Sequence, residues 1–214
     1  MQAAHPSDLE LAALISSKIC HDVVGPVGAI YNGIEILDEG GDAEAKAYAM
    51  TVIRNVTEQA SAKLQFNRFA FGAAGSAGAL IDLATAEQIS RGFVGNGKHK
   101  LHWSGLKGYM AKDRVKLLLN LIANALSALP RGGDITVSMS APPEHPEFLL
   151  RCRGQGARPP AYLTEIIVGG GHASSPVDVL TIQAYYTWRL AEATGTHLEI
   201  LKDGEDILLS AKPA

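Results

Sequence analysis

Charge is scarce in this chain. Only 19% of its 214 residues are charged and the formal net charge is -3, so there is no broad basic field and no nucleic-acid partner is expected. Cysteine is scarcer still: Cys20 and Cys152 are the only two. Neither has the company a zinc site needs, and one pair is no disulfide framework. Cys20 reads instead as a small apolar filler, and a reducing cytoplasm is the simplest setting. No apolar run approaches the roughly 20 residues of a bilayer-spanning helix. No basic stretch followed by an apolar one opens the chain, so neither a signal peptide nor a membrane partner is expected. Hydrophobic residues, at 47%, are ample for packed cores. The length allows one large domain or two small ones.

Periodicity divides the chain. A long amphipathic helix is expected over residues 7–38, broken by Glu39-Gly40-Gly41-Asp42, with Asp42 as N-cap of a second helix running to about Phe71. Gly72, Gly75 and Gly78 then read as a linker. Two helices cannot enclose a core alone, so a second copy completing a four-helix bundle is implied. The rest alternates without strict order. Strands are expected at 80–82, 100–103, 134–139, 148–152, 197–201 and 206–211, and helices at 85–93, 112–129, 159–168 and 179–194. The turn between 139 and 148 is marked by prolines, and the last by Asp203-Gly204. The fold class is α+β: an N-terminal α-hairpin over 1–76, and an α/β sandwich over 77–214.

The densest chemistry lies at Cys20-His21-Asp22-Val23-Val24-Gly25-Pro26. At about 100° per residue, Leu11, Ile15, Ile19, Val23, Val27, Ile30, Ile34 and Leu37 fill a sector about 160° wide. His21 sits nearly opposite its middle, with Ser17, Gly25 and Gly28 as small outward neighbours and Lys18 one turn earlier. An isolated histidine on a polar face is usually an ordinary surface residue; Asp22 and Pro26 favour the functional reading. Proline inside a helix costs about 3 kcal/mol. A bend beside a reactive histidine is one use for it, and two helices meeting at Gly25-Pro26 is the other. The straight run of the apolar stripe favours a single kinked helix.

A histidine followed at once by an acid, with proline five residues on, resembles the phosphoacceptor motif of two-component histidine kinases. Residues 7–72 resemble their dimerisation and phosphotransfer domain, and residues 78–214 their ATP-binding domain. Val115 to Leu126, with Asn120 and Asn124, followed by Leu129-Pro130-Arg131-Gly132-Gly133, is similar to the kinase N-box. In active kinases the asparagine at the place of Asn124 ligates the magnesium of ATP. A plain amphipathic helix on a sheet is the simpler alternative.

The departures shape the functional reading. Where kinases carry Asp-x-Gly-x-Gly, this chain has Cys152-Arg153-Gly154-Gln155-Gly156, and a thiol is no substitute for the carboxylate that accepts the adenine amino proton. The second glycine box would fall at Thr181-Ile182-Gln183-Ala184, without a glycine to let phosphates approach the backbone. Gly169-Gly170-Gly171 resembles a remnant of the nucleotide lid. Two independent losses argue against ATP binding, so no cofactor is expected.

A phosphohistidine hairpin with a degenerate ATPase-like domain resembles the ChpT-type histidine phosphotransferases of alphaproteobacterial cell-cycle signalling. Lys18 to Asp22, Pro26 and the segment 64–73 carry this likeness. The resemblance implies a homodimer taking phosphate from the receiver domain of a hybrid kinase of the CckA type and passing it to response regulators of the CtrA and CpdR type. His21 would carry the phosphate, with Lys18 adding charge and Asp22 hydrogen-bonding the ring. Receivers would dock on Ser17, Gly25, Gly28 and Asn32, and the magnesium would belong to the receiver. Gly25 offers no side chain to position a hydrolytic water, so transfer rather than hydrolysis is expected. An atypical active kinase and a non-catalytic receiver-binding scaffold are the alternatives. The other histidines, including His99, His102 and His197 on or beside strands, read as surface or packing residues without paired acids.

Overall fold

A computed structural model describes residues 5–72, 78–104, 107–140, 142 and 144–214. The expected boundary between 76 and 77, and most of the glycine linker, lie outside these residues, as do two positions of the proline-marked turn.

Two long antiparallel helices, α1 (Asp8–Asp38) and α2 (Ala43–Ala70), form the N-terminal hairpin. Ser7 and Glu10 build a capping box at the start of α1: Ser7 Oγ accepts from the Glu10 N–H at 3.3 Å, and Glu10 accepts from the Ser7 N–H at 2.8 Å. Asp42 caps α2 by accepting from the Ala45 N–H at 2.8 Å. Between them Gly40, at φ 78°, supplies the left-handed residue that ends α1. The helices cross closely at Gly33, where a Cβ would lie 2.6 Å from Ile53 Cγ1.

The C-terminal part runs β1 (Leu80–Asp82), α3 (Leu83–Val94), β2 (His99–Ser104), β3 (Tyr109–Ala111), α4 (Lys112–Ala128), β4 (Gly133–Ser140), β5 (Glu147–Arg153), α5 (Ala161–Val168), α6 (Ile182–Ala193), β6 (Thr196–Asp203) and β7 (Asp206–Pro213). Five strands form one sheet in the order β2-β4-β5-β7-β6, with β2 and β4 parallel and the other pairs antiparallel. The short β1 and β3 pair separately. Strict alternation in β4 and β5 turns Ile135, Val137, Met139, Phe148, Leu150 and Cys152 toward the helices. Helix α4 is buried almost all round from Val115 to Ala125, as expected of a helix held between a sheet and a second helical layer.

The hairpin packs on this domain through both of its helices. Phe66 of α2 stacks on Phe93 of α3, with centroids 3.6 Å apart. Leu11, Leu14 and Ile15 of α1 cover Ile166, Ala173, Ile182 and Tyr185. His5 is more than a terminal tail residue: its ring lies 4.5 Å from that of His172 and 5.7 Å from that of Trp188, parallel to the latter within 5°.

Two sequence expectations change here. His102 does have an acidic partner, because the parallel β2–β4 register brings its Nε2 to 2.6 Å from Asp134 Oδ1. Cys20 is exposed rather than a buried filler, since it lies on the side of α1 that α2 leaves open.

Candidate functional site

Helix α1 runs unbroken through Pro26. The proline ring carries no N–H, so the Asp22 carbonyl one turn back loses its helical donor. One residue before that carbonyl, His21 projects into solvent with 69% of its side chain exposed. Ser17, Gly25, Gly28 and Asn32 are exposed on the same helix. A Cβ added at Gly25 or Gly28 would meet nothing within 4 Å. Glycine in a helix interior costs about 1 kcal/mol relative to alanine, and no internal packing here requires it. The bare surface beside His21 therefore serves contacts from outside the chain or none at all.

Lys18 and Asp22 form a half-buried ion pair, Nζ to Oδ2, at 2.5 Å. Asp22 Oδ1 stays 3.9 Å from His21 Nδ1, too long for a hydrogen bond. The hydrogen bond expected between Asp22 and the ring is thus absent here. The reason is helical geometry: residues four apart face one another, and adjacent residues do not. Lys18 takes the carboxylate, and the imidazole nitrogens stand unpartnered among the described residues.

Beside this polar face lies a second feature that the helical wheel only partly signalled. Ile19, Cys20, Val23, Val24, Val27, Gly28, Tyr31 and Leu64 line an open apolar groove of about 630 Å³. Val24 is 69% exposed and Val27 53%. Gly28 therefore borders both the His21 face and this groove. Val24 and Tyr31 lie just outside the apolar sector of the sequence, and their continuity with Val27 was the available signal.

The residues aligned with a kinase nucleotide site are occupied internally. Asn124 is buried, its Nδ2 donating to the Asn120 carbonyl at 2.9 Å and to Thr187 Oγ1 at 2.8 Å. Asn120 Nδ2 donates to the carbonyls of Ala70 at 3.0 Å and Lys116 at 2.8 Å, while its Oδ1 accepts from Gln183. These amides join α4 to α6 and to the end of α2. Cys152 is fully buried in the core; burial, with a smaller contribution from the Asp206 carboxylate, pushes its thiol up to about 12. Ile182 and Ala184, in place of the second glycine box, are buried as the first turn of α6. Burial also holds the Lys116 ammonium below the usual lysine range. No group of three or more His, Cys, Asp or Glu among the described residues is placed to hold a metal. No helix among them is long and apolar enough to cross a membrane.

Comparison with known proteins agrees with this geometry. Residues 83–206 match the family model described as the histidine phosphotransferase C-terminal domain. The protein phosphotransferase ChpT of Brucella abortus (strain 2308) is 41% identical over 206 residues, covering 96% of this chain and 97% of that protein. A bacterial phosphotransferase solved at 1.7 Å superposes with a TM-score of 0.89 at 38% identity, covering 99% of this chain and all of that one. A histidine kinase domain from Erythrobacter litoralis EL346 is far more remote, with a TM-score of 0.48 at 13% identity over 88% of this chain and 93% of that one. The chain belongs to the histidine phosphotransferase family.

Proposed function

We propose that this chain relays a phosphoryl group between receiver-domain aspartates through His21, without binding ATP. The observation that carries the reading is the solvent-facing imidazole on α1, 69% exposed, set against buried N-box asparagines whose amide nitrogens donate inside the fold. A neutral ring nitrogen, Nε2 in the related kinases, attacks the phosphorus of an aspartyl phosphate in line. The N–P bond forms as the P–O bond to the aspartate breaks, and the carboxylate leaves with its electron pair. A second receiver aspartate then attacks the phosphohistidine, and the imidazole leaves. Such transfers depend on positioning and charge stabilisation. The magnesium that neutralises the phosphoryl oxygens is expected on the receiver.

Lys18 brings positive charge within one turn of His21. Asp22 acts by holding that ammonium in place, since it pairs with Lys18 at 2.5 Å and stays 3.9 Å from the ring. Receivers dock on Ser17, Gly25, Gly28 and Asn32, and Gly25 supplies no group to direct a hydrolytic water. The apolar groove fits the hairpin of a second copy, so the working unit is a homodimer built as a four-helix bundle. The likeness to ChpT supports a hybrid-kinase receiver of the CckA type as donor and CtrA- and CpdR-type regulators as acceptors, in a cytoplasmic cell-cycle relay.

The test is a reconstituted relay. Wild type incubated with a phosphorylated receiver domain is expected to acquire label and pass it to a second receiver. His21→Ala should do neither, and wild type with labelled ATP alone should stay unlabelled. Label from ATP without a partner would restore the kinase reading. Transfer by His21→Ala would leave only a scaffold.

A further inference from the structure

The hairpin has two long sides, and the apolar groove takes only one. Gly33 of α1 and Ala49 and Ile53 of α2 mark the line where the helices meet. At about 100° per residue, Val23, Val27 and, on α2, Leu64 fall to one side of that line, where the groove lies. His21, Gly25 and Asn32 fall to the other side, together with Asn55 and Gln59 of α2. The antiparallel register at Gly33 sets Gly25 about level with Gln59. Behind α2, on its face turned away from α1 and next to Gln59, the C-terminal domain comes close: Gly92 of α3 approaches Ala62 of α2, 3.5 Å from where its Cβ would stand, and the exposed loop Gly95-Asn96-Gly97 follows. Asn55, Glu58, Gln59, Arg91 and Asn96 line an open polar depression of about 500 Å³ there. Along the helix axis it begins within about two turns, roughly 10 Å, of the level of His21.

Its charge is one-sided. The Arg91 guanidinium is engaged: it bonds Glu87 at 2.7 Å and donates through Nη1 to the Leu101 carbonyl at 2.9 Å. Glu58 has no ion pair or hydrogen bond among the described residues. The depression therefore offers one uncompensated carboxylate, ringed by amide oxygens on Asn55, Gln59 and Asn96. The glycines at 95 and 97 carry no side chain to obstruct entry.

We propose that this depression receives a basic side chain, lysine or arginine, of the receiver domain docked over His21, with Glu58 as its counter-charge. The inference rests on the relay reading above and adds a specificity contact that both domains build. It gives the sheet domain a task once nucleotide binding is gone, because its α3–β2 loop forms one wall of the docking site.

The experiment measures steady-state transfer from phosphorylated full-length protein to the isolated receiver domain of a CtrA-type regulator. Glu58→Arg is expected to raise KM about tenfold or more and Glu58→Gln about threefold, with kcat within about twofold of wild type. Glu205→Arg, at the distant β6–β7 turn, should leave both constants unchanged. Glu58→Gln keeps the side chain's shape and reads out the charge even if the arginine variant folds poorly. Unchanged KM in Glu58→Gln and Glu58→Arg, with transfer still abolished by His21→Ala, overturns this inference and spares the relay. Transfer surviving in His21→Ala overturns the relay itself.

Discussion

On α1, His21 turns its imidazole to water and comes no closer than 3.9 Å to Asp22. On α4, Asn120 and Asn124 are buried, with the Asn120 amide engaged through both its nitrogen and its oxygen and the Asn124 Nδ2 donating twice inside the fold. Both regions resemble parts of a histidine kinase in sequence, but only one presents its polar side chain outward. A nucleotide site must keep polar atoms unpaired until the ligand arrives, and buried unpaired groups destabilise a fold. Here Cys152 is a buried core residue, and the asparagines act as ties between helices. An exposed imidazole carries no such penalty, because water satisfies it.

The sharpest way to break this contrast is at its outward end. His21→Ala should remove all phosphorylation by a receiver donor, a loss of at least about 1,000-fold in labelling rate, while melting temperature stays within about 1 °C of wild type. A melting temperature that fell with activity would make His21 a packing residue. The neighbouring apolar face comes next. Val27→Asp would bury an unpaired carboxylate in the proposed dimer, and sedimentation should show the dimer constant weakened about 100-fold or more. Unaltered sedimentation would place the groove outside any self-interface.

At the inward end, Asn124→Ala should lower unfolding free energy in urea by about 1–3 kcal/mol by leaving Thr187 Oγ1 without its donor and the Asn120 carbonyl with its backbone donor alone. If its stability were unchanged, the asparagine would not be a tie. The sheet supplies a pH test. Hydrogen bonds from Arg153 and then Arg151 hold the Asp206 carboxyl down to about 2, against about 3.9 in an unfolded chain. The group therefore adds stability that is fully present above about pH 4 and lost as pH falls toward 2. Asp206→Asn should flatten the acid limb of the melting curve over that range and leave its neutral slope alone. The smallest effect is expected from Lys18→Ala, which should slow transfer about three- to tenfold, or about 1 kcal/mol of barrier. A larger loss would mean that Lys18 contacts the phosphoryl group throughout the reaction.

How far the sequence could be read depended on whether a feature was local. The cap Asp42, the continuous helix through Pro26 and the outward turn of His21 all follow from short-range pattern, and the structure has them; Ser7, read as the first residue of the helix, is its N-cap. Helix boundaries moved by a few residues at most, except at α6, where the expected start at 179 gave way to Ile182 because Asp178 and Thr181 form a separate turn first. Strand β3, at Tyr109–Ala111, is too short to show alternation and exists only through its pairing with β1. The His102–Asp134 pair joins residues distant in sequence, and sheet register alone creates it. Asp22 was assigned to its adjacent histidine, when the helix delivers it to Lys18. Val24 and Tyr31 were missed because a single-faced wheel has no place for a helix that meets α2 along one strip and leaves another open.

The ring of His5, lodged beside His172 and Trp188, anchors the leading end of the stem to the sheet domain. With the start of α1 and the end of α2 both packed on the sheet domain, the stem is a bracket rather than a hinge. In the relay proposed above, the travel is left to the receivers.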